Sequence, residues 1–374
     1  MNPLPLAVSK RGISLITSAY LPCGSRYLFH GVLNVALCIF LSGCAASSVP
    51  SGSNGSVHTL YVLGGGPPFV ISGLATNASG TSTPVSKLTL PSSFMAQAMT
   101  IDAVGQIYVA GIQGQSPSEI LVYAAGSTGA AAPVRTILTG QPTADPVGAI
   151  AVDNSGDLYV ADNLKGTVNI FAPSADGPST PTRTIQLSAS TFRGVNSLAV
   201  DGSGDLYLLG YVEGNVAGLD NPTEVFVYGP GASGSATPVR TIVGSNAEFG
   251  LNTENIAVDS AGDLYAIIFN PAHPFLNATE VAEFAPGATG NAAPVKTIIG
   301  NFGESGASPT HLQIDSSGNV CVVGQFVDFD LPQTPIPYPP FIAIFSPSAT
   351  GTVSPTNQFT SAALDGGVYG FAAQ

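Results

Sequence analysis

Charged side chains are scarce in this sequence: Asp, Glu, Lys and Arg make up 9% of its 374 residues. Gly (44) and Pro (30) are abundant instead. Gly and Pro break long helices, whereas short strands joined by tight turns tolerate this mixture. The composition therefore argues against an all-α fold and predicts an all-β one.

A hydrophobic stretch long enough to cross a membrane is lacking near the N-terminus. Residues 31–41 (GVLNVALCIFL) are apolar, but a spanning helix needs roughly 18 such residues. Lys10, Arg11 and Arg26 precede the stretch, and small residues follow it. This order of basic, apolar and small residues is typical of an export signal peptide.

The sequence Leu41-Ser42-Gly43-Cys44 resembles the bacterial lipobox, in which the cysteine is lipidated and becomes the new N-terminus. The resemblance implies a signal peptide over residues 1–43, lipidation of Cys44, and a lipid anchor in a membrane of the cell envelope, on its periplasmic or extracellular face. Residues 44–56 are rich in Ser and Gly and are predicted to be a flexible tether. A plain signal peptide with ordinary cleavage nearby is the alternative.

Cysteine and basic residues both become rarer after such processing. Cys23 and Cys38 leave with the leader and Cys44 carries lipid, so Cys321 has no disulfide partner within the chain. The mature part keeps 7 basic side chains against 23 acidic ones, a formal charge of −16. A surface with this negative charge repels nucleic acid and anionic lipid. We therefore expect that the protein has no nucleic-acid partner and that it contacts the membrane only through its acyl chains.

One segment, of the form VDxSGDLYVAD, recurs five times in the sequence. Its first Asp recurs at Asp102, Asp153, Asp201, Asp259 and Asp315. A strand ends at each Asp, a short turn containing Gly follows, and a second strand begins, which describes a hairpin. Periods of this length indicate a repeat architecture such as a propeller.

A second recurring segment follows each hairpin and contributes two further strands, the last of them opened by Pro. Four strands per period make one propeller blade. Near the N-terminus, residues 57–90 supply a second, third and fourth strand without a first, and residues 367–374 match the missing one. The prediction is one six-bladed β-propeller over residues 57–374, closed by strands from both termini.

The wording of the hairpin, VDNSGDLYVAD at 152–162, resembles the NHL repeat and related six-bladed propellers. The resemblance covers nearly all of the chain after the tether and implies the fold. It implies no activity, because this architecture hosts hydrolases, lyases, redox enzymes and pure binding modules.

The sequence contains few candidate catalytic residues or metal ligands. The Asp turns superficially resemble calcium loops, but they lack the distal bidentate Glu, so a structural role is favoured. The basic residues of the fourth strands, Arg135, Arg183, Arg240 and Lys296, are interpreted as charges that protect sheet edges. Cys321 occupies a position held by Tyr in other repeats and is predicted to pack in the core.

The first strands should line the propeller channel. Positions four and two residues before each Asp are mostly small and untitratable; they are Ala98, Ala149, Ser197, Asn255, His311 and Gly370, and Thr100, Ala151, Ala199, Ala257, Gln313 and Ala372. A metal site needs several convergent His, Asp or Glu side chains. Among these positions only His311 is a potential metal ligand, and Glu254 lies nearby in the sequence. Because so few potential ligands cannot form a metal site, we expect no catalytic or metal-binding set.

Loops between the second and third strands are long in three repeats and would share one acidic face. The candidate binding residues of this face and the channel are Glu213, Asp220, Glu254, His311, Asp328, Asp330 and Tyr338. The sequence favours a non-catalytic binding or scaffold lipoprotein whose partner is an envelope protein or a glycan. The alternative is a metal-dependent hydrolase of the gluconolactonase-like propeller type, which would need a divalent cation; the long loops could also be neutral insertions.

Overall fold

A computed structural model describes residues 58–114, 116–140, 147–188, 192–212, 215–216, 219–220, 223–243, 253, 255–269, 279–300, 307–326 and 340–374. These residues form six sheets that each contain four antiparallel strands; in three of them a short parallel strand from a neighbouring blade adds a fifth, and a separate two-stranded hairpin lies in a loop. The inner strand of each sheet contacts the inner strands of the two neighbouring sheets, and this series of contacts returns to its starting point. The all-β, six-bladed propeller predicted from the repeats is confirmed.

In blades 1 to 5 the strands follow chain order from the channel outward. Blade 1 contains Phe94–Ile101, Ile107–Gln113, Ser118–Tyr123 and Arg135–Leu138, and blade 2 contains Val147–Val152, Leu158–Asp162, Thr167–Phe171 and Arg183–Gln186. Blade 3 contains Phe192–Val200, Leu206–Val212, Thr223–Tyr228 and Arg240–Ile242, and blade 4 contains Ile256–Val258, Leu264–Phe269, Thr279–Phe284 and Lys296–Gly300. Blade 5 contains Ala307–Ile314, Val320–Phe326, Phe341–Phe345 and Asn357–Ser361.

The closing blade combines the two ends of the propeller. Its inner strand is Val368–Ala373, which pairs antiparallel with Thr59–Gly64, and Val70–Ala75 and Ser86–Thr89 complete the sheet. A single-turn 3-10 helix, Ala362–Leu364, leads into the inner strand. The predicted closure by both termini is therefore confirmed, and it removes the open sheet edges that an unclosed stack would expose.

The hydrophobic core is divided into six clusters, and each cluster lies between two neighbouring blades. The cluster between the closing blade and blade 1, for example, joins Leu63 and Ile71 to Phe94 and Val109. The other five clusters follow the same rule around the ring. Because each blade buries its faces against its neighbours, the blades stabilise one another and depend on the ring being complete.

The repeated Asp holds each hairpin turn through one carboxylate oxygen. In blade 3, Asp201 Oδ1 accepts hydrogen bonds from the backbone N–H groups of Ser203 and Asp205, both at 2.9 Å. The same two bonds recur at Asp102, Asp153, Asp259 and Asp315. The turn glycine has φ near +85° in blade 3 (Gly204), a left-handed conformation that favours Gly. The structural role predicted for the Asp turns is confirmed.

The outer strands are linked to their neighbours rather than left as free edges. One residue of each outer strand pairs in parallel with a glycine in the loop that precedes the outer strand of the next blade. These pairs are Leu88 with Gly129, Ile137 with Gly177, Ile185 with Gly234, Ile242 with Gly290, Ile298 with Gly351, and Phe359 with Gly80. The six glycines have φ between +59° and +68°. A belt of backbone pairing thus encircles the rim.

This belt corrects the interpretation of the outer-strand cations as edge protection. Arg135 Nη1 donates to the Pro173 and Ala175 carbonyls of blade 2, and Arg183 Nη1 donates to the Ala232 carbonyl of blade 3. Lys296 Nζ reaches the Pro347 carbonyl of blade 5 at 3.3 Å. These cations join blades, because they donate to backbone carbonyls of the neighbouring blade where a free edge was expected.

In blades 1 to 3 the Arg of the outer strand completes a group of four side chains. In blade 3, Arg240 Nη2 lies 2.9 Å from Asp205 Oδ2 and 3.3 Å from the Tyr207 hydroxyl, with the guanidinium carbon 5.6 Å from the Tyr ring centroid. The Tyr207 hydroxyl lies 3.5 Å from Asp201 Oδ2. This group ties the turn to the outer strand.

We expect Asp201→Ala to lower the free energy of unfolding by roughly 2 to 3 kcal/mol, because two backbone N–H groups lose a charged acceptor. Asp201→Asn keeps Oδ1 and should cost less than half as much. Urea unfolding followed by circular dichroism measures both. Asp365→Ala, at an exposed position, serves as the control. Equal losses for the Ala and Asn variants would show that the turn does not depend on these bonds.

Candidate functional site

The channel at the centre of the ring is a cavity of about 370 Å³ lined by the inner strands. The positions predicted from the Asp register line it, with the single exception of Ala372. Ala372 packs instead in the core between the closing blade and blade 1. The channel wall is therefore largely the one inferred from the repeats, with small side chains leaving the central space open.

A β-bulge interrupts the inner strand at the same place in several blades. In blade 1, Ala96 pairs with Gly111 and Ala98 with Ala110, so Gln97 is an extra residue. Asn196, Thr310 and Tyr369 are the extra residues of blades 3 and 5 and of the closing blade. All four line the channel. Bulges redirect side chains, and here they bring polar groups to the channel wall that strict alternation would not place there.

Amide side chains of the channel wall join the inner strands of successive blades. Gln97 Oε1 accepts the N–H of Val147 at 3.2 Å, and Asn255 Oδ1 accepts the N–H of Leu312 at 2.9 Å. Asn196 Nδ2 donates to the carbonyl of Thr253 at 3.3 Å. The polar lining of the channel is thus partly structural, because each bond spans two blades.

Blade 2 makes the same kind of link with a residue outside the channel wall. Asn163 Oδ1 accepts the N–H of Val195 in blade 3 at 2.8 Å. A Cβ on Gly148 would lie 2.5 Å from Asn163 Nδ2, so glycine is needed for this close approach. The link therefore depends on two residues far apart in the repeat, and the repeat pattern alone gave no signal for it.

His311 is the candidate residue that the structure places in the channel wall. Its Nδ1 lies 3.1 Å from the hydroxyl of Thr310, and burial lowers the pKa of the imidazole to about 4. The ring is therefore neutral near pH 7. Among the described residues, no group of three His, Cys, Asp or Glu side chains is close enough together to hold a metal ion.

The other candidate residues of the acidic face receive little structural description. Glu213, Glu254, Asp328, Asp330 and Tyr338 lie outside the described residues. The backbone of Asp220 belongs to a small hairpin formed by Asn215–Val216 and Leu219–Asp220, within the long loop of blade 3. That these side chains form one binding face remains a prediction.

Cys321 lies in the second strand of blade 5 and is fully buried, opposite Gln313 and Ile344. Burial, and to a smaller extent the nearby Asp315 carboxylate, holds the pKa of its thiol well above the usual range. The thiolate is the reactive form of cysteine, so this environment suppresses reactivity. The prediction that Cys321 is a packing residue is confirmed.

Two hydrogen-bonded contacts of His58 were not predicted from the sequence. His58 lies between two hydroxyls of the blade 5 turn, with Nε2 2.9 Å from Ser317 Oγ and Nδ1 3.1 Å from Ser316 Oγ. The contact is exposed and connects the start of the propeller to blade 5. A hydroxyl next to each ring nitrogen leaves neither nitrogen oriented by a carboxylate, unlike the base of a catalytic triad.

Carboxylates also recur at the start of the third strand, at Glu119, Glu224 and Glu280. Glu119 is 7% exposed and Glu280 is 2% exposed. Burial raises the pKa of the carboxyl groups of Glu119 and Glu224. The three groups belong to three different blades, so their recurrence indicates a shared structural environment rather than a single site.

Comparison with known proteins supports the fold and leaves the activity open. No protein-family model and no curated protein sequence matches the chain. A crystal structure of a protein of unknown function from Bacteroides caccae is similar, with a TM-score of 0.53 and 11% identity over 85% of this chain and 99% of that one. The structure of a protein from Lactobacillus plantarum has 14% identity over 85% of this chain and 99% of that one, with a TM-score of 0.48.

The neutral state of His311 gives the stability of the propeller a pH dependence. Because burial lowers the pKa of His311 to about 4 in the folded state, the unfolded state binds more protons below about pH 6.5, so stability falls as the pH falls. We expect this residue to contribute a loss of about 2 kcal/mol between pH 7 and pH 5.

Urea unfolding at both pH values, for the wild type and for His311→Gln, isolates this contribution. The Gln variant should lack the His311 share of the loss. A ¹H NMR titration provides a direct check, since the His311 ring resonance should shift near pH 4. A midpoint near pH 6.5 would contradict the buried environment.

Proposed function

We propose that this chain is a non-catalytic binding or scaffold lipoprotein of the bacterial cell envelope, built on an NHL-like six-bladed propeller. The observation that carries the binding part is the chemistry of the channel wall. Its described polar side chains are amides, hydroxyls and one imidazole that burial keeps neutral near pH 7. Such groups bind ligands through hydrogen bonds but supply neither a nucleophile with its base nor a strong acid.

The envelope location rests on the sequence before the propeller. The basic, apolar and small-residue order over residues 1–43 and the Leu41-Ser42-Gly43-Cys44 motif support export and lipidation. Among the described residues, no helix has the length and apolar character needed to span a bilayer. In this proposal Cys44 carries the acyl chains that hold the propeller at the membrane.

We expect Cys44→Ala to abolish incorporation of an alkyne-tagged fatty acid into the full-length chain and to move the protein out of the membrane fraction. Cys38→Ala is the matched control, because this cysteine lies in the proposed leader and should leave labelling intact. Labelling in bacterial cells, followed by fractionation and mass spectrometry of the N-terminus, measures both effects. Labelling of the Cys44→Ala variant would refute the proposed anchor.

A partner surface is proposed on the loop-bearing face, which is rich in acidic residues in the sequence. The partner is an envelope protein or glycan, and cationic groups on it would complement the charge of this face. The stretch 331–340 (LPQTPIPYPP) is Pro-rich and includes Tyr338, and such a composition favours a stiff, extended chain. Because stiff segments lose little entropy on binding, this stretch is well suited to recognition.

Deleting residues 331–340 should reduce crosslinking of the full-length protein to its envelope partner in cells by at least about ten-fold, equivalent to about 1.4 kcal/mol. A variant with these ten residues in scrambled order keeps loop length and composition and controls for nonspecific effects. Crosslinking should also weaken as salt is raised, because charge attraction is screened. Unchanged capture by the deletion variant would indicate that the loops are neutral insertions.

The hydrolase alternative is separated from the binding proposal by elemental analysis of the purified full-length protein, together with a thermal-shift series of divalent ions. A stoichiometric metal, or a large shift at low ion concentration, would replace the binding proposal with the metal-dependent hydrolase. An unresponsive protein without bound metal supports the binding proposal.

A further inference from the structure

Four polar residues of the channel are brought there by bulges of the inner strands. Gln97, Asn196, Thr310 and Tyr369 are each the extra residue of a bulge and each line the cavity. A bulge leaves a residue out of the regular ladder and costs hydrogen bonds there. The same device in four blades therefore concentrates hydrogen-bonding groups around one central space.

The interblade bonds fix which end of each amide remains for a ligand. Gln97 and Asn255 accept backbone N–H groups through their oxygens, so the NH₂ of each is the end without a partner among the described residues. Asn196 donates through Nδ2 and so keeps its Oδ1. Two donors and one acceptor are therefore held in orientation before any ligand arrives, which lowers the entropy cost of binding.

Charge and size limit what these groups can bind. The described residues that line the cavity include no Asp, Glu, Lys or Arg, and His311 is neutral near pH 7 because burial lowers its pKa to about 4. A charged ligand would lose its hydration on entering the cavity, and the described lining residues would offer no opposite charge in return, which is costly in free energy. The volume of about 370 Å³ lies at the small end of ligand sites, and alanines provide apolar wall between the amides.

We propose that the channel is a binding site for a neutral, polyhydroxylated molecule of monosaccharide size, held by the NH₂ groups of Gln97 and Asn255 and the Oδ1 of Asn196. Hydroxyl groups both donate and accept, so a polyhydroxylated molecule offers partners to the NH₂ donors and to the amide oxygen alike. This inference rests on the proposed function in one respect, that the channel binds its ligand without changing it. It is independent of the lipid anchor and of the loop-bearing face.

The test uses the full-length protein in a detergent without a sugar headgroup. Saturation-transfer NMR and calorimetry are carried out with glucose, N-acetylglucosamine and myo-inositol as neutral probes, glucosamine as the cationic probe and glucuronate as the anionic probe. We expect saturable binding of at least one neutral probe and at least about ten-fold weaker binding of both charged probes, the effect of about 1.4 kcal/mol.

Isosteric variants separate ligand contact from the structural bonds. Gln97→Glu and Asn255→Asp keep the oxygen that accepts the neighbouring N–H and replace only the NH₂ donor. Each should weaken the neutral probe at least about ten-fold while the unfolding midpoint stays close to that of the wild type. Asn169→Asp is the matched control: it adds the same charge in the third strand of blade 2, where Oδ1 accepts from Thr184, and should not alter binding.

Three results would overturn the inference. They are no binding of any neutral probe, binding that neither channel variant weakens, and preferential binding of glucosamine that is lost in Glu254→Gln. In each case the lipidation and crosslinking results would still decide the proposed function separately. Chemical conversion of a bound probe, seen in the same NMR spectra, would instead contradict the non-catalytic function and leave the channel site in place.

Discussion

The pairing of Thr59–Gly64 with Val368–Ala373 is the contact on which the rest of the structure depends. All six core clusters lie between blades, so no blade buries its apolar faces alone. Without this pairing, two blade faces and two sheet edges would meet water. The two paired strands are separated by nearly the whole propeller sequence, so the entropy cost of closing this long loop is offset only when the intervening blades are ordered, and the stability of each blade is coupled to that of the ring.

Around this closure the molecule holds its blades together at three radii. Amides join inner strands, as Asn255 does with Leu312, and apolar clusters fill the middle. At the rim, glycines such as Gly234 pair with the preceding blade's outer strand. Arginines add bonds to carbonyls of the next blade there. Each device joins neighbouring blades, so the ring resists opening at all three radii.

The two ends of the inner strands differ in structure, which explains how a rigid ring can also present a binding site. The end of the strand at the Asp turn is invariant in form, with Asp201 and its equivalents holding the same two N–H groups. The other end carries the bulge, and there the blades differ: Gln97, Asn196, Thr310 and Tyr369 occupy equivalent places. The Asp end has the same form in five blades, whereas the bulge end differs between blades and combines interblade bonds, such as those of Gln97 and Asn196, with groups that can specify a ligand.

The sequence by itself determined the blade count, the strand order, the closure by both termini and most of the channel wall, because the Asp register repeats and strand alternation fixes which face each residue takes. It also predicted the buried position of Cys321. Only the tertiary structure decided that Arg135, Arg183 and Lys296 join blades, and that bulges bring Gln97 and Asn196 to the channel. These contacts between blades join residues 40 to 51 positions apart in the chain, and no residue pattern in the repeats marks where a strand pair shifts its register, so neither feature could be read from the local sequence.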